Sequence, residues 1–193
     1  MLTYLKEINQ EEYALQPNTY RKLLLLIFVF GGFFGFLYEE LFYLIDLGYL
    51  VKRGTTFGPW IPIYGFGALF IVLITTRFNQ NPPAVFGISC LVSGLLEFLT
   101  GYTLFHAWDL RLWDYNIEIW NWGNVGGYIC FRSIAFFGVS GLFFQYIVYP
   151  LLARFAVNSK ETKLSLVSLV PASLFLLDIV VSLVFRVFFP VAS

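Results

Sequence analysis

Glu39, Glu40, Glu97, Arg132, Asp178 and Arg186 are charged side chains set inside long apolar runs. At the centre of a membrane-spanning helix each would cost about 2.5–3.5 kcal/mol on insertion scales, and less near the ends. Charges kept there face the interior of a helix bundle, where they pair with one another or line a polar path. A carboxylate so placed can hold a proton, bind a cation or act as acid or base, and an arginine can neutralise one. Spacing supports the inward placement. Gly31, Gly35 and Glu39 fall at i, i+4 and i+8 on one helical face, and Gly87, Gly94 and Gly101 recur every seven residues with Glu97 on their stripe. Small residues mark close helix approach. The expected contact is a Glu97–Arg132 pair. Asp178, Ser182 and Arg186 form a further polar stripe for which a structural role is expected.

Such residues need elements that cross a membrane, and the composition provides them. The chain has 193 residues, 59% apolar and only 12% charged, with mean hydropathy +0.74. Soluble domains carry roughly 25% charge, so a water-soluble globular domain and a disordered chain are both excluded. Twelve basic residues balance twelve acidic ones, which gives no reason to expect a nucleic-acid partner. Cys90 and Cys130 lie in different apolar runs and are not expected to pair.

A span needs about 20 mostly apolar residues. Five runs qualify, at about 23–45, 59–76, 84–106, 126–152 and 164–188. They are too long and continuous for barrel strands, and open sheet edges do not occur in lipid. The fold expected is therefore an all-α integral membrane protein with about five transmembrane helices. A polar cytoplasmic segment over 1–20 precedes a single helical domain over 21–190. Lys and Arg near the span ends number seven on the N-terminal side and three on the other, with Arg186 near the last end. The positive-inside bias places the N-terminus in the cytoplasm and the C-terminus outside, in the plasma membrane.

Both loops on the outer side carry unusual chemistry. Residues 53–67 read RGTTFGPWIPIYGFG. Pro59 and Pro62 each remove a backbone donor and restrict the residue before them. The expectation is a broken, re-entrant-type entry to the second span, folded into protein and carrying Tyr64 inward. Residues 106–127 read HAWDLRLWDYNIEIWNWGNVGG and hold four of the five Trp and the only His. Asp114 and Tyr115 lie in this loop, and Asn124 precedes the fourth span, with Arg132 expected one turn inside it where helix N–H groups favour an anion. No P-loop, HExxH, CxxC or GxSxG pattern is present. No cofactor, metal site or catalytic residue is expected on these grounds.

The motifs GFLYE (35–39), RGTTFGPWIPIYGFG (53–67), LEFLTG (96–101), WDY (113–115) and NVGGYIC (124–130) stand in this order. Together they resemble a family of bacterial membrane proteins described as putative ABC-transporter type IV permeases. The family pattern has a Glu in the first span, "GP-x-x-PIYG", "LE-x-x-TG", "WDY" and "N-x-x-GRICL". The resemblance covers about residues 31–145. It carries over Glu39, Gly58, Pro59, Pro62, Tyr64, Gly65, Glu97, Gly101, Trp113, Asp114, Tyr115, Asn124, Gly127 and Cys130. Tyr128 departs from the pattern, standing where the family has Arg, and Arg132 is the nearby charge that would replace it. The resemblance implies transport.

The function expected is a membrane transport component with a polar cavity near the outer face. Its lining would be Glu39, Pro59, Tyr64, Glu97, Asp114, Tyr115, Asn124 and Arg132. One of the two carboxyls Glu39 and Glu97 would keep a proton unless a cation is bound, so the cavity would be proton- or cation-coupled. The partners expected are the lipid bilayer, a small polar or ionic ligand, and a second copy or another subunit, since five spans are few for alternating access alone. Two alternatives stand beside this: a membrane-embedded acid/base enzyme acting on a lipid-like substrate, and a ligand-free accessory protein whose charges lock the fold.

Overall fold

A computed structural model describes residues 15–188, without the side chains of 186–188. Most of the expected N-terminal segment, residues 1–14, lies outside the described residues, as does the Arg186 side chain. Every regular element among the described residues is helical: α1 (Pro17–Leu47), α2 (Pro62–Thr75), α3 (Pro82–Trp108), α4 (Phe131–Phe143), α5 (Tyr149–Asn158) and α6 (Glu161–Phe188). A π turn, Phe144–Val148, joins α4 to α5 without a break.

Among the described residues four helices are long and apolar enough to cross a membrane: Pro17–Leu47, Pro82–Trp108, Phe131–Asn158 and Glu161–Phe185. The chain is an integral membrane protein. The run expected to span over 59–76 is a shorter apolar helix, Pro62–Phe78. Its 14 α-helical residues rise roughly 21 Å and its closing 3₁₀ turn adds about 6 Å, just under the ~30 Å of a hydrocarbon core. Large apolar side chains such as Leu91, Leu95, Leu99, Leu177 and Val180 are exposed along the spanning helices, as contact with lipid requires.

Local sequence explains where the helices start and stop. Pro17, Pro62 and Pro82 each begin a helix, where a missing N–H costs nothing. Asn81 caps α3 by accepting from the Ala84 N–H at 3.2 Å. Gly48 ends α1 in the left-handed region, and its N–H donates to the Leu44 carbonyl. The fourth helix starts at Phe131 and not near 126, because residues 109–130 form an irregular loop with its own hydrogen bonds and one isolated bridge, Val125 to Ile129.

The chain divides into two compact units. One runs from Leu15 to Phe66 and resumes at Phe155; the other is Gly67–Arg154. In the first, α1 and α6 run parallel. Lys22 pairs with Glu161 near their N-terminal ends, and Gly32 meets the Phe175 ring further along. Phe28 and Trp60 both stack on Phe175, at 4.6 and 5.0 Å between centroids. In the second, α3 runs antiparallel to α4, with Gly94 against Ile134, Gly138 against Phe86 and Cys90, and Gly141 against Ser89. α2 runs parallel to α4, with Ile71 beside Gly141 and Thr75 beside Gln145.

The two glycine stripes behave differently. A Cβ on Gly35 would fall 2.0 Å from Tyr64 Cγ, so only glycine lets the Tyr64 ring lie on α1. Gly94 and Gly101 also meet neighbours, but a Cβ on Gly87 would meet nothing within 4 Å. The seven-residue repeat is therefore a packing face over only part of α3. Gly35→Ala should destabilise the protein by about 1–3 kcal/mol through overpacking. Gly87→Ala should be neutral or stabilising by about 0.5–1 kcal/mol. Thermal unfolding in detergent checks this, and equal effects at the two positions would contradict the assignment of Gly35 as a contact.

Candidate functional site

Glu97 lies in α3 and is 5% exposed. One of its oxygens accepts the Tyr115 hydroxyl at 2.7 Å, and the other accepts the Ser133 hydroxyl from α4. Tyr115 is itself buried, and it belongs to the irregular loop that follows α3. Burial first, and the Glu97 carboxylate next, push its phenol well above the usual value, so it stays protonated and able to donate. Arg132, the second residue of α4, gives one terminal nitrogen to Glu118 at 2.5 Å and the other to the Ile119 carbonyl at 3.2 Å. Its guanidinium carbon is 5.4 Å from the centre of the Tyr115 ring. Arg132 thus ion-pairs with a loop acid that sequence reasoning did not single out, and it adjoins the Glu97 network at Tyr115.

The loop that carries Tyr115 is built around Asp114 and Asn124. Asp114 Oδ1 accepts from the Asn116 N–H at 2.9 Å and from Arg111 at 2.8 Å. Asn124 donates to Asn116 Oδ1 and accepts from the Gly127 N–H, both within 2.8 Å. Tyr115 N–H donates to the Gly127 carbonyl at 3.1 Å. Gly127 has φ +81°, and a Cβ there would fall within 2.5 Å of side-chain atoms of Asp114, Arg111 and Asn116. The WDY and NVGG segments therefore need each other. Arg111 also lies 5.3 Å from the centre of the Tyr128 ring. The guanidinium beside position 128, where the resemblance leads one to expect Arg, is that of Arg111.

In the other unit, the loop before α2 meets three carboxylates. Asp178 of α6 accepts the N–H groups of Phe57 and Gly58 at 2.9 and 2.7 Å, and the Trp60 indole N–H at 2.7 Å. Pro59, between these donors, has no N–H to satisfy. Ile61 N–H goes to the Gly32 carbonyl of α1 at 3.0 Å. Arg53 donates through its backbone N–H to Glu40 at 2.8 Å and through Nε to Glu39 at 3.2 Å. Tyr64 hydroxyl reaches the other Glu39 oxygen at 2.9 Å. The Arg53 guanidinium also sits 3.6 Å from the centre of the Tyr43 ring, a cation–π contact.

The eight expected site residues thus form two clusters, one inside each unit. Glu97, Asp114, Tyr115, Asn124 and Arg132 form one; Glu39, Pro59 and Tyr64 form the other. Sequence reasoning missed Arg53 as the cation for Glu39, and it missed Ser133 and Glu118. Arg53 directly precedes the glycine-rich loop, which was the available signal. Nothing in helical periodicity points to Glu118. Among the described residues no group of three or more His, Cys, Asp and Glu side chains could hold a metal ion.

These features define a polytopic α-helical membrane protein whose irregular loops are tied to carboxylates and arginines of apolar helices. The chain matches the family described as "Putative ABC-transporter type IV" over residues 26–183, and it belongs to that family. No curated protein and no solved structure matches it.

Two outcomes follow from the loop geometry. Tyr115→Phe removes a hydrogen bond to Glu97 and should cost about 1.5–3 kcal/mol, while adding Glu97→Gln should cost far less than the sum of the single changes. Additive losses in unfolding free energy would show that the two do not interact. Burial raises the Asp114 carboxyl, but the Asn116 N–H and the Arg111 guanidinium outweigh this and hold it below the ordinary value of 3.8. Its stabilisation is therefore full at neutral pH and is lost as pH falls through that lowered value. Asp114→Asn should lower the melting temperature at pH 7 and make no difference once pH is well below 3.8; a gap that persists in acid would contradict the assignment.

Proposed function

We propose that this protein is a component of a membrane transport system, acting on a small polar or ionic ligand near the outer face of the plasma membrane. The single observation that carries the reading is Glu97: a buried carboxyl in a spanning helix, joined by hydroxyls to a loop and to a second spanning helix. Membership of a family named for ABC transport supports it. In this reading the N-terminus is cytoplasmic, the C-terminus is outside, and a second copy or another subunit completes the transporting unit.

Proton or cation coupling fits the chemistry of the Glu97 cluster. Hydroxyl groups donate to an ionised carboxylate and can accept from a protonated one. Tyr115 and Ser133 therefore hold Glu97 in either state, which a site that loads and releases a proton needs. The Glu39 cluster differs, since Arg53 and Tyr64 both donate to that carboxylate, an arrangement that suits ligand recognition.

The test is solute uptake into proteoliposomes over about pH 5 to 9, comparing the native chain with Glu97→Gln and Glu39→Gln. Glu97→Gln should abolish the pH dependence and reduce uptake about tenfold or more, with Glu39→Gln lowering uptake but keeping the pH profile. Unchanged uptake and profile in Glu97→Gln would reduce this carboxyl to a structural clasp.

A further inference from the structure

Below the Glu97 level, the Gly67–Arg154 unit contains a second polar cluster that carries no charge. Thr75 of α2, Ser89 of α3 and Gln145 in the π turn are all completely buried. Thr75 hydroxyl lies 2.7 Å from the Ile71 carbonyl and 3.0 Å from Gln145 Oε1. Ser89 hydroxyl donates to the Val85 carbonyl at 2.7 Å and packs against Gly141, one turn before Gln145. Each hydroxyl has one proton and an own-helix carbonyl to take it, so both present lone pairs to the interior. The far end of the Gln145 amide, Nε2 as placed, meets no hydrogen-bond partner among the described residues. Oxygen and nitrogen of an amide exchange by a flip, but one end is left over in either orientation. A buried amide left so costs about 1–3 kcal/mol.

The backbone adds to this. In the π turn the Tyr149 N–H goes to the Phe144 carbonyl, five residues back, so Gln145 loses its regular helical partner. Pro150 follows and has no N–H, so it can serve neither the Tyr146 carbonyl four residues back nor Gln145 five back. The turn therefore takes these helical donors from carbonyls of the segment that carries the fully buried Gln145 amide. π turns inside spanning helices mark functional sites, and unwound carbonyls in transport proteins coordinate alkali cations.

The geometry points to a binding site for a dehydrated monovalent alkali cation, formed by Thr75, Ser89, the Gln145 amide oxygen and π-turn carbonyls. A water molecule donates only two hydrogen bonds, fewer than the acceptors this shell offers, whereas an alkali cation is satisfied by many neutral oxygens. Calcium and magnesium sites draw on carboxylates, and this shell has none. The site is separate from the Glu97 cluster and does not depend on what that cluster handles.

The experiment is thermal unfolding of the purified full chain in detergent, read by tryptophan fluorescence. Sodium chloride and potassium chloride are each titrated against choline chloride at constant ionic strength. One alkali cation should raise the melting temperature saturably in the native protein. Thr75→Val and Ser89→Ala should each raise the half-saturating concentration about tenfold or more, and Gln145→Leu should abolish the response. If Gln145→Leu fails to fold, the hydroxyl variants still decide the matter. Glu97→Gln should keep the response. No cation-specific shift in the native protein would overturn the proposal and leave an ordered water as the occupant. An undiminished shift in both hydroxyl variants, or its loss in Glu97→Gln alone, would overturn it by placing the cation elsewhere.

Discussion

A carboxylate inside an apolar helix must be given donors, and irregular backbone at membrane depth must be given acceptors. Neither is available from lipid. Each unit of this protein meets one need with the other. Asp178 takes two backbone N–H groups and the indole N–H from the loop that breaks the chain before α2, and Glu39 and Glu40 take up Arg53 from the start of the same loop. In the other unit, Glu97 holds Tyr115, and Arg132 of α4 holds Glu118. Charges that are costly in isolation thus become the anchors of the non-helical segments.

Glycine makes the anchoring possible at short range. Tyr64 can reach Glu39 because Gly35 lets its ring lie on α1. Tyr115 is positioned by a loop that closes only because Gly127 leaves room for Asp114, Arg111 and Asn116. The aromatic and amide residues of the two irregular loops therefore belong to the two clusters, and their positions depend on close approaches at Gly35 and Gly127. The Glu97 and Glu39 carboxylates are accordingly tied to loop conformation.

Much of this was legible from residue types alone. Long apolar runs announced the spanning helices, Pro59 and Pro62 announced the interrupted backbone before α2, and helical spacing put Glu39 beside the Gly35 contact. The partners were less legible, because pairing across a bundle depends on relative depth and rotation. The expected contact joins Glu97 to Arg132; the structure gives Arg132 an ion pair with Glu118, which periodicity cannot assign because it lies in irregular backbone, and sets Arg132 beside Tyr115 of the Glu97 network. The stripe of Asp178, Ser182 and Arg186 is expected to be structural, and Ser182 does donate to Asp178; the loop amides that Asp178 also holds, more than a hundred residues away in sequence, carry no signal in helical spacing. The start of α4 came five residues later than hydropathy suggested, since Asn124, Gly126 and Gly127 are held by loop hydrogen bonds and not by a helix.

The central claim is that carboxylates in the spanning helices hold the loops in place. The most direct test is amide hydrogen exchange of the 54–61 segment in lipid nanodiscs, for the native chain and for Asp178→Ala. Phe57 and Gly58 N–H groups bonded to a carboxylate should be protected in the native protein. Their exchange should accelerate about ten- to hundredfold in the variant, as expected for losing bonds worth about 1.5–3 kcal/mol, while α3 keeps its protection. Fast exchange of these amides in the native protein, or rates unchanged by Asp178→Ala, would contradict the account.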